Sequence, residues 1–109
     1  MKLAIIGSRK CTEIDITSHL PFVPDVIISG GAIGVDTYAK EFADQNGINY
    51  EEHLPDYPKY GRSAPILRNM EIVRSCDFLL AFWNGESKGT KFTLDYAKKL
   101  GKPFKIIMI

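Results

Sequence analysis

Short apolar runs alternate with amphipathic stretches along the chain. KLAIIG (2–7), DVIISG (25–30), INYEEHL (48–54), DFLLAFW (77–83) and FKIIMI (104–109) have the length and composition of β-strands. Four of them are almost continuously apolar, as strands covered on both faces of a sheet must be. The third is polar and alternating, which suits a sheet edge. The stretches between them predict four helices. Residues 12–20 are rich in β-branched side chains and are stopped by Pro21. Residues 33–46 carry Val35, Ala39, Phe42 and Ala43 on one face and end at Gly47. Residues 64–75 have Ser63 as a candidate cap, Pro65 in the first turn, and Ile66, Met70 and Val73 on one side. Residues 90–100 place Phe92, Tyr96 and Leu100 at i, i+4 and i+8, with Gly101 and Pro103 as the stop.

This alternation predicts the α/β class. A single Rossmann-like domain over residues 1–109 is expected, with a five-stranded, mainly parallel sheet in the order 3-2-1-4-5. Crossovers are right-handed and helices cover both faces. A chain of 109 residues suits one domain. No repeat, low-complexity segment or linker interrupts it. The long connection PDYPKYGRSAP (55–65) is of a length usually tied to function or mobility.

Composition narrows the setting. No apolar run approaches the ~18 residues a membrane span needs. The opening MKLAIIGSRK reads as a buried strand, since a signal peptide has a longer apolar stretch and a small-residue cleavage site. A cytoplasmic protein with Cys11 and Cys76 as free thiols is therefore expected. The net charge of +1 lacks the basic footprint of a nucleic-acid binder. His19 and His53 are isolated and form no metal-ligand spacing with the cysteines, so no metal is expected.

Parallel strands put their C-terminal ends on one rim, where open α/β sheets bind ligands. GSRK (7–10), SGGAIGVD (29–36), the long connection and WNGESKGT (83–90) all fall there. The rim is rich in glycine, hydroxyls and cations, including Ser8, Arg9, Lys10, Ser29, Arg62, Ser87, Lys88, Thr90 and Lys91. Such an edge favours an anionic ligand. SGGAIGVD comes close to the dinucleotide-binding glycine pattern, with Ser29 at the first glycine position and Gly31 and Gly34 at the others. Gly30 and Gly31 leave backbone N–H groups open at a helix start, a cradle for phosphate. The same glycines would equally serve close strand–helix packing. Asp36, in the first helical turn, reads either as a structural cap or as a contact to a sugar hydroxyl. Thr90 is read as the cap of the last helix. Arg68 falls on a surface position of its helix, whereas Asn69 lies at the edge of the apolar face and needs a partner. Trp83, Tyr57 and Tyr60 are candidates for stacking a base.

Taken together, IIGSR, SGGAIGVDTYA, the RN pair of the third helix and CDFLLAFWNGESKGT resemble the SLOG superfamily, most closely its YspA/YpsA-type branch. The resemblance runs over nearly the whole chain. It implies a Rossmann-like fold and a ligand related to nucleotides or ADP-ribose, held by the glycine-containing turns. The DNA-processing protein A family has turns similar to GSR and SGGAIGVD and binds single-stranded DNA. The LONELY GUY phosphoribohydrolases have a pattern that looks like RNMEIVRSCDFLLAFWNGESKGTKFT. On that match Arg68 takes the place of the catalytic arginine, and Gly89 and Thr90 match a glycine–threonine pair. Asn69 replaces a lysine, and Thr93 stands where the catalytic glutamate is expected. Breaking an N-glycosidic bond calls for a positioned carboxylate, so the loss at Thr93 favours binding over hydrolysis.

The expectation is a binding domain for a nucleotide-derived phosphate ligand, a nucleoside monophosphate or an ADP-ribose-like molecule, in one reading a sensor. It requires no cofactor. The ligand-binding set is Gly7, Ser8, Arg9, Ser29, Gly30, Gly31, Ala32, Gly34, Asp36, Arg68, Asn69, Trp83, Ser87, Gly89 and Thr90. The alternatives are a nucleoside-monophosphate N-glycosidase, with Arg68, Glu86 and Asp95 as catalytic candidates, and a single-stranded nucleic-acid binder. The apolar IIMI run fits a buried or paired strand, compatible with a homodimer.

Overall fold

The five apolar segments pair as β1 (Lys2–Gly7), β2 (Val26–Ser29), β3 (Asn49–Glu52), β4 (Phe78–Trp83) and β5 (Phe104–Met108). They form one sheet in the order β3-β2-β1-β4-β5, and every pairing is parallel. The order is the one expected from sequence, and the sheet is wholly rather than mainly parallel. The helices are α1 (Val35–Gln45), α2 (Tyr57–Tyr60), α3 (Ala64–Ser75) and α4 (Lys88–Leu100). This computed structural model describes residues 1–8, 14–31 and 34–109. A radius of gyration of 12.7 Å suits a single domain of this length.

The period-two alternation of β1 divides the core. Leu3 and Ile5 face one side, where they join Ile27, Leu80 and Phe82 and meet Val35, Ala39 and Ala43 of α1. Ala4 and Ile6 face the other, with Ile28, Leu79 and Ala81, beneath Ile72 and Val73 of α3 and Leu94 and Ala97 of α4. Registers such as Leu3↔Ile27 and Ile5↔Leu80 keep like-facing residues side by side. Both faces of β1 and β4 are thereby dry, which explains their unbroken apolar sequences. β3 is the polar edge that its composition implies. Cys76 is a buried free thiol, and burial pushes it up to about 11. Cys11 lies outside the described residues.

Several local expectations are corrected. Within 12–20, the described residues hold a 3-10 turn at Thr17–His19 instead of an α-helix. Asp15 accepts hydrogen bonds from the Ser18 backbone N–H and from its hydroxyl, a local competitor to the helical ladder. The connection 55–65 is not irregular: α2 is capped by Asp56, whose Oδ1 accepts from the Lys59 N–H at 3.2 Å, and a 3-10 turn (Gly61–Ser63) leads into α3. Ser63 makes no side-chain cap bond. The buried face of α3 is Ala64, Arg68, Ile72 and Val73, whereas Ile66 is exposed. The buried face of α4 is Thr90, Thr93, Leu94 and Ala97, while Phe92 and Leu100 are exposed. In both helices a polar residue with an internal partner occupies the core face, which hides that face from a hydrophobicity count. β5 is an edge strand with Ile106 and Met108 exposed, so its apolar run does not signify two-sided burial. His53 is not isolated: its ring lies between Glu51 at 2.8 Å and Glu71 at 3.5 Å. Among the described residues no helix is long and apolar enough to cross a membrane.

The end of β1 is packed without clearance. A Cβ at Gly7 would stand 2.5 Å from both the Phe82 carbonyl oxygen and Val35 Cγ2. One contact is backbone and the other a stiff β-branched side chain, so neither yields easily. Gly7→Ala is expected to destabilise the fold by about 1–3 kcal/mol, read as a lower urea midpoint with an unchanged slope. An unchanged midpoint would refute the close-packing account.

Candidate functional site

β1 and β4 are neighbours in the sheet but distant in sequence, and the strand order reverses between them. A crevice opens beyond their C-terminal ends, the place where doubly wound sheets bind ligands. A cavity of about 490 Å³ occupies it. Ile6 and Gly7 line it from β1, Ser8 from just after that strand, and Gly30 from the turn after β2. Asp36 comes from the first turn of α1, and Pro65, Arg68, Asn69 and Ile72 from α3. Asn84, Glu86 and Ser87 follow β4, and Gly89, Thr90 and Thr93 belong to α4. The volume lies in the usual range for small-molecule sites.

Arg68 is the main surprise. It is 9 % exposed, not on the surface. Its Nη1 donates to the Gly30 carbonyl at 2.8 Å, and its Nε donates to Asn69 Oδ1 at 2.8 Å. The partner that Asn69 needed is therefore the adjacent arginine. The guanidinium also explains Gly30: an added Cβ would stand 2.8 Å from Arg68 Cζ. The glycine turn is thus held by side-chain packing as well as being open to the cavity.

The turn after β4 is built by a residue the sequence reading passed over. Asn84 Oδ1 accepts from the backbone N–H groups of Glu86 and Ser87, both at 2.9 Å, forming an Asx turn. An Asn-Gly pair directly after a strand was the available signal. Ser87, rather than Thr90, caps α4: its Oγ accepts from the Thr90 N–H at 3.4 Å and from the Thr90 hydroxyl at 3.2 Å. Thr93 is 1 % exposed, and its hydroxyl donates to the Gly89 carbonyl at 2.8 Å, so the cavity wall carries no carboxylate at that position. Ile6, Pro65 and Ile72 also line the cavity without having been expected to. They carry no chemical signature that separates them from ordinary core residues.

The expected set is only partly assembled. Gly7, Ser8, Gly30, Asp36, Arg68, Asn69, Ser87, Gly89 and Thr90 lie in the wall, as does Glu86. Arg9 and Ala32 lie outside the described residues. Gly34 is the residue before α1 and is outside the wall, and Gly31 turns toward Glu52 and Leu54. Trp83 packs on the core and donates its Nε1 proton to the Ser87 carbonyl at 3.1 Å, bracing the turn from behind. Tyr57 and Tyr60 are exposed at the two ends of α2, away from the wall. Asp95 is solvent-facing and paired with Lys91 at 3.6 Å. Of the three catalytic candidates, Arg68 and Glu86 reach the cavity and Asp95 does not. The charges in the described wall are one guanidinium and the carboxylates of Asp36 and Glu86. Among the described residues no cluster of three or more His, Cys, Asp or Glu is placed to hold a metal.

Ser29 is fully buried beside the site, not in its wall. Neither its Oγ nor the Tyr50 hydroxyl makes a well-formed hydrogen bond. Burial pushes the Tyr50 phenol up to about 12; Ser29 opposes that rise, and the carboxylates of Glu52, Asp36 and Asp44 add to it.

No protein-family model matches the chain, and no solved structure does. The chain is 40 % identical over 84 residues to the Gene 61 protein of Mycobacterium phage D29. The match covers 72 % of this chain and 67 % of that protein.

A phenol that ionises at about 10 when unfolded and at about 12 when folded holds its proton longer in the native state. Stability therefore falls as pH rises through that window. Tyr50→Phe is expected to flatten this alkaline slope. At neutral pH it should leave stability unchanged or raise it by about 1 kcal/mol, because an orphaned hydroxyl is removed. Urea titrations between pH 7 and 11 check both, and an unchanged slope would contradict the assignment.

Proposed function

We propose that this chain, which belongs to the family of the Gene 61 protein of Mycobacterium phage D29, is a binding domain for a nucleotide-derived phosphate ligand. The observation that carries the reading is the cavity at the β1–β4 crevice with the Arg68 guanidinium buried in its wall. A buried cation beside two glycine-containing strand-to-helix turns suits a phosphoryl group, because guanidinium and helix-start amides both favour anionic oxygens. Asp36, in the same wall, suits a ribose hydroxyl. The apolar floor of Ile6, Pro65 and Ile72 offers area to a ribose or base. The sequence resemblance to SLOG-type domains points to the same class of ligand. Nucleoside monophosphates and ADP-ribose are the ligands of choice, and the cytoplasm is the matching compartment.

Isothermal titration with AMP, ADP-ribose and NAD is expected to give binding of at least one ligand, weakened tenfold or more in Arg68→Met. Absence of binding at millimolar ligand would sink the proposal. AMP should be recovered intact after incubation, since Thr93 stands where a carboxylate is needed. Release of adenine, abolished by Glu86→Gln, would move the reading to an N-glycosidase.

We also propose a homodimer through β5. That edge carries exposed Ile106 and Met108, whereas the opposite edge, β3, carries Glu51 and Glu52. Long apolar edges invite strand pairing and charged edges resist it. An antiparallel pair with its two-fold axis at Ile106 sets Phe104 against Met108 and Lys105 against Ile107, with no like charges opposed. It also brings the end near Lys98, whose Nζ is 5.8 Å from the Phe104 ring centre, toward the partner's Gly85–Glu86 end. Light scattering is expected to give twice the chain mass, and Ile106→Lys a folded monomer. A monomeric wild type at high concentration would refute it.

A further inference from the structure

Asn84 is oriented by its own turn. Its Oδ1 accepts the Glu86 and Ser87 N–H groups, both at 2.9 Å, which occupies both lone pairs and fixes which side of the amide is oxygen. The Nδ2 group, with two protons to donate, has no partner among the described residues, and Asn84 lines the cavity. Ser8 is related. It is 3 % exposed, and its Oγ accepts from the Asn84 backbone N–H at 3.4 Å. Its hydroxyl proton has no acceptor among the described residues, although Ser8 also lines the cavity. The hydroxyls of Thr90 and Thr93 differ, because each donates to a neighbour within its own helix turn. A donor that lines a cavity with no protein acceptor is available to a ligand or water there.

We propose that Asn84 Nδ2 and the Ser8 hydroxyl form a donor pair that bridges the ends of β4 and β1 and binds the phosphoryl oxygens of the nucleotide ligand. The inference rests on reading the cavity as a nucleotide-phosphate site, and it sets the ligand's direction. The phosphate lies at the β1–β4 crevice, facing Arg68, and the sugar extends toward Asp36. Oxygen acceptors select these donors, since neither Asn84 Nδ2 nor the guanidinium can accept a hydrogen bond.

The test uses ¹⁵N-labelled full chain titrated with AMP and, separately, with adenosine. The Asn84 side-chain resonances are assigned in the wild type by through-bond correlation to the Asn84 backbone. AMP is expected to shift these amide protons downfield, and adenosine to leave them in place. In Asn84→Asp the Oδ1 acceptor and the turn are kept while the donors are replaced by a carboxylate oxygen. Its melting temperature should match wild type, and its affinity for AMP should fall at least about tenfold. Ser8→Ala should weaken AMP binding by less. Wild type that binds AMP with unmoved Asn84 protons would overturn the donor pair while leaving the binding function intact. Wild type that binds no nucleotide would overturn both. If Asn84→Asp does not fold, the wild-type shifts alone decide between the pair and its absence.

Discussion

Everything in this molecule depends on burying β1 and β4 on both faces. A parallel strand in that position has no polar edge or open face to tolerate, so its sequence must be apolar at every position. Leu3 to Ile6 and Leu79 to Phe82 meet that demand. The demand has a geometric consequence. Helices have to cross on both sides, every strand runs the same way, and all the turns that leave the strands gather on one rim. The crevice between β1 and β4 exists because the chain proceeds in opposite directions from these two strands.

The rim is organised by polar groups that partner with each other across elements. Arg68 of α3 holds the carbonyl of Gly30, and Ser8 after β1 receives the amide of Asn84 after β4. Asn84 in turn ties together the loop that starts α4. The first two links join segments far apart in sequence, so the shape of the cavity and the packing of the sheet are not separable. Gly7 and Gly30 illustrate the point: each is glycine because a neighbouring element occupies the space of a side chain.

Fold class, strand order and the place of the cavity at the strand ends were all legible from the pattern of apolar runs and glycine turns. The faces of α3 and α4 were not. A periodicity count gives Ile66 and Phe92 to the core and Arg68 to solvent, yet Arg68 is buried, as is Thr93, because each finds an internal acceptor. Trp83 read as a stacking platform and is a brace, since its indole N–H meets the Ser87 carbonyl. Asp95 and Glu86 read as equal candidates, and only Glu86 reaches the cavity.

The sequence by itself determined the parallel α/β sheet, because two-sided burial writes continuous apolar runs and parallel connection writes intervening helices. It also determined that the strand ends are rich in glycine, hydroxyls and cations. Tertiary structure decided which of those groups meet. Hydrogen-bond pairing between β1, β2, α3 and the β4–α4 turn depends on distances across the fold, and nothing in the local pattern encodes them. Arg68 became a wall residue through such contacts, and the local turn that orients Asn84 came to line the cavity through them.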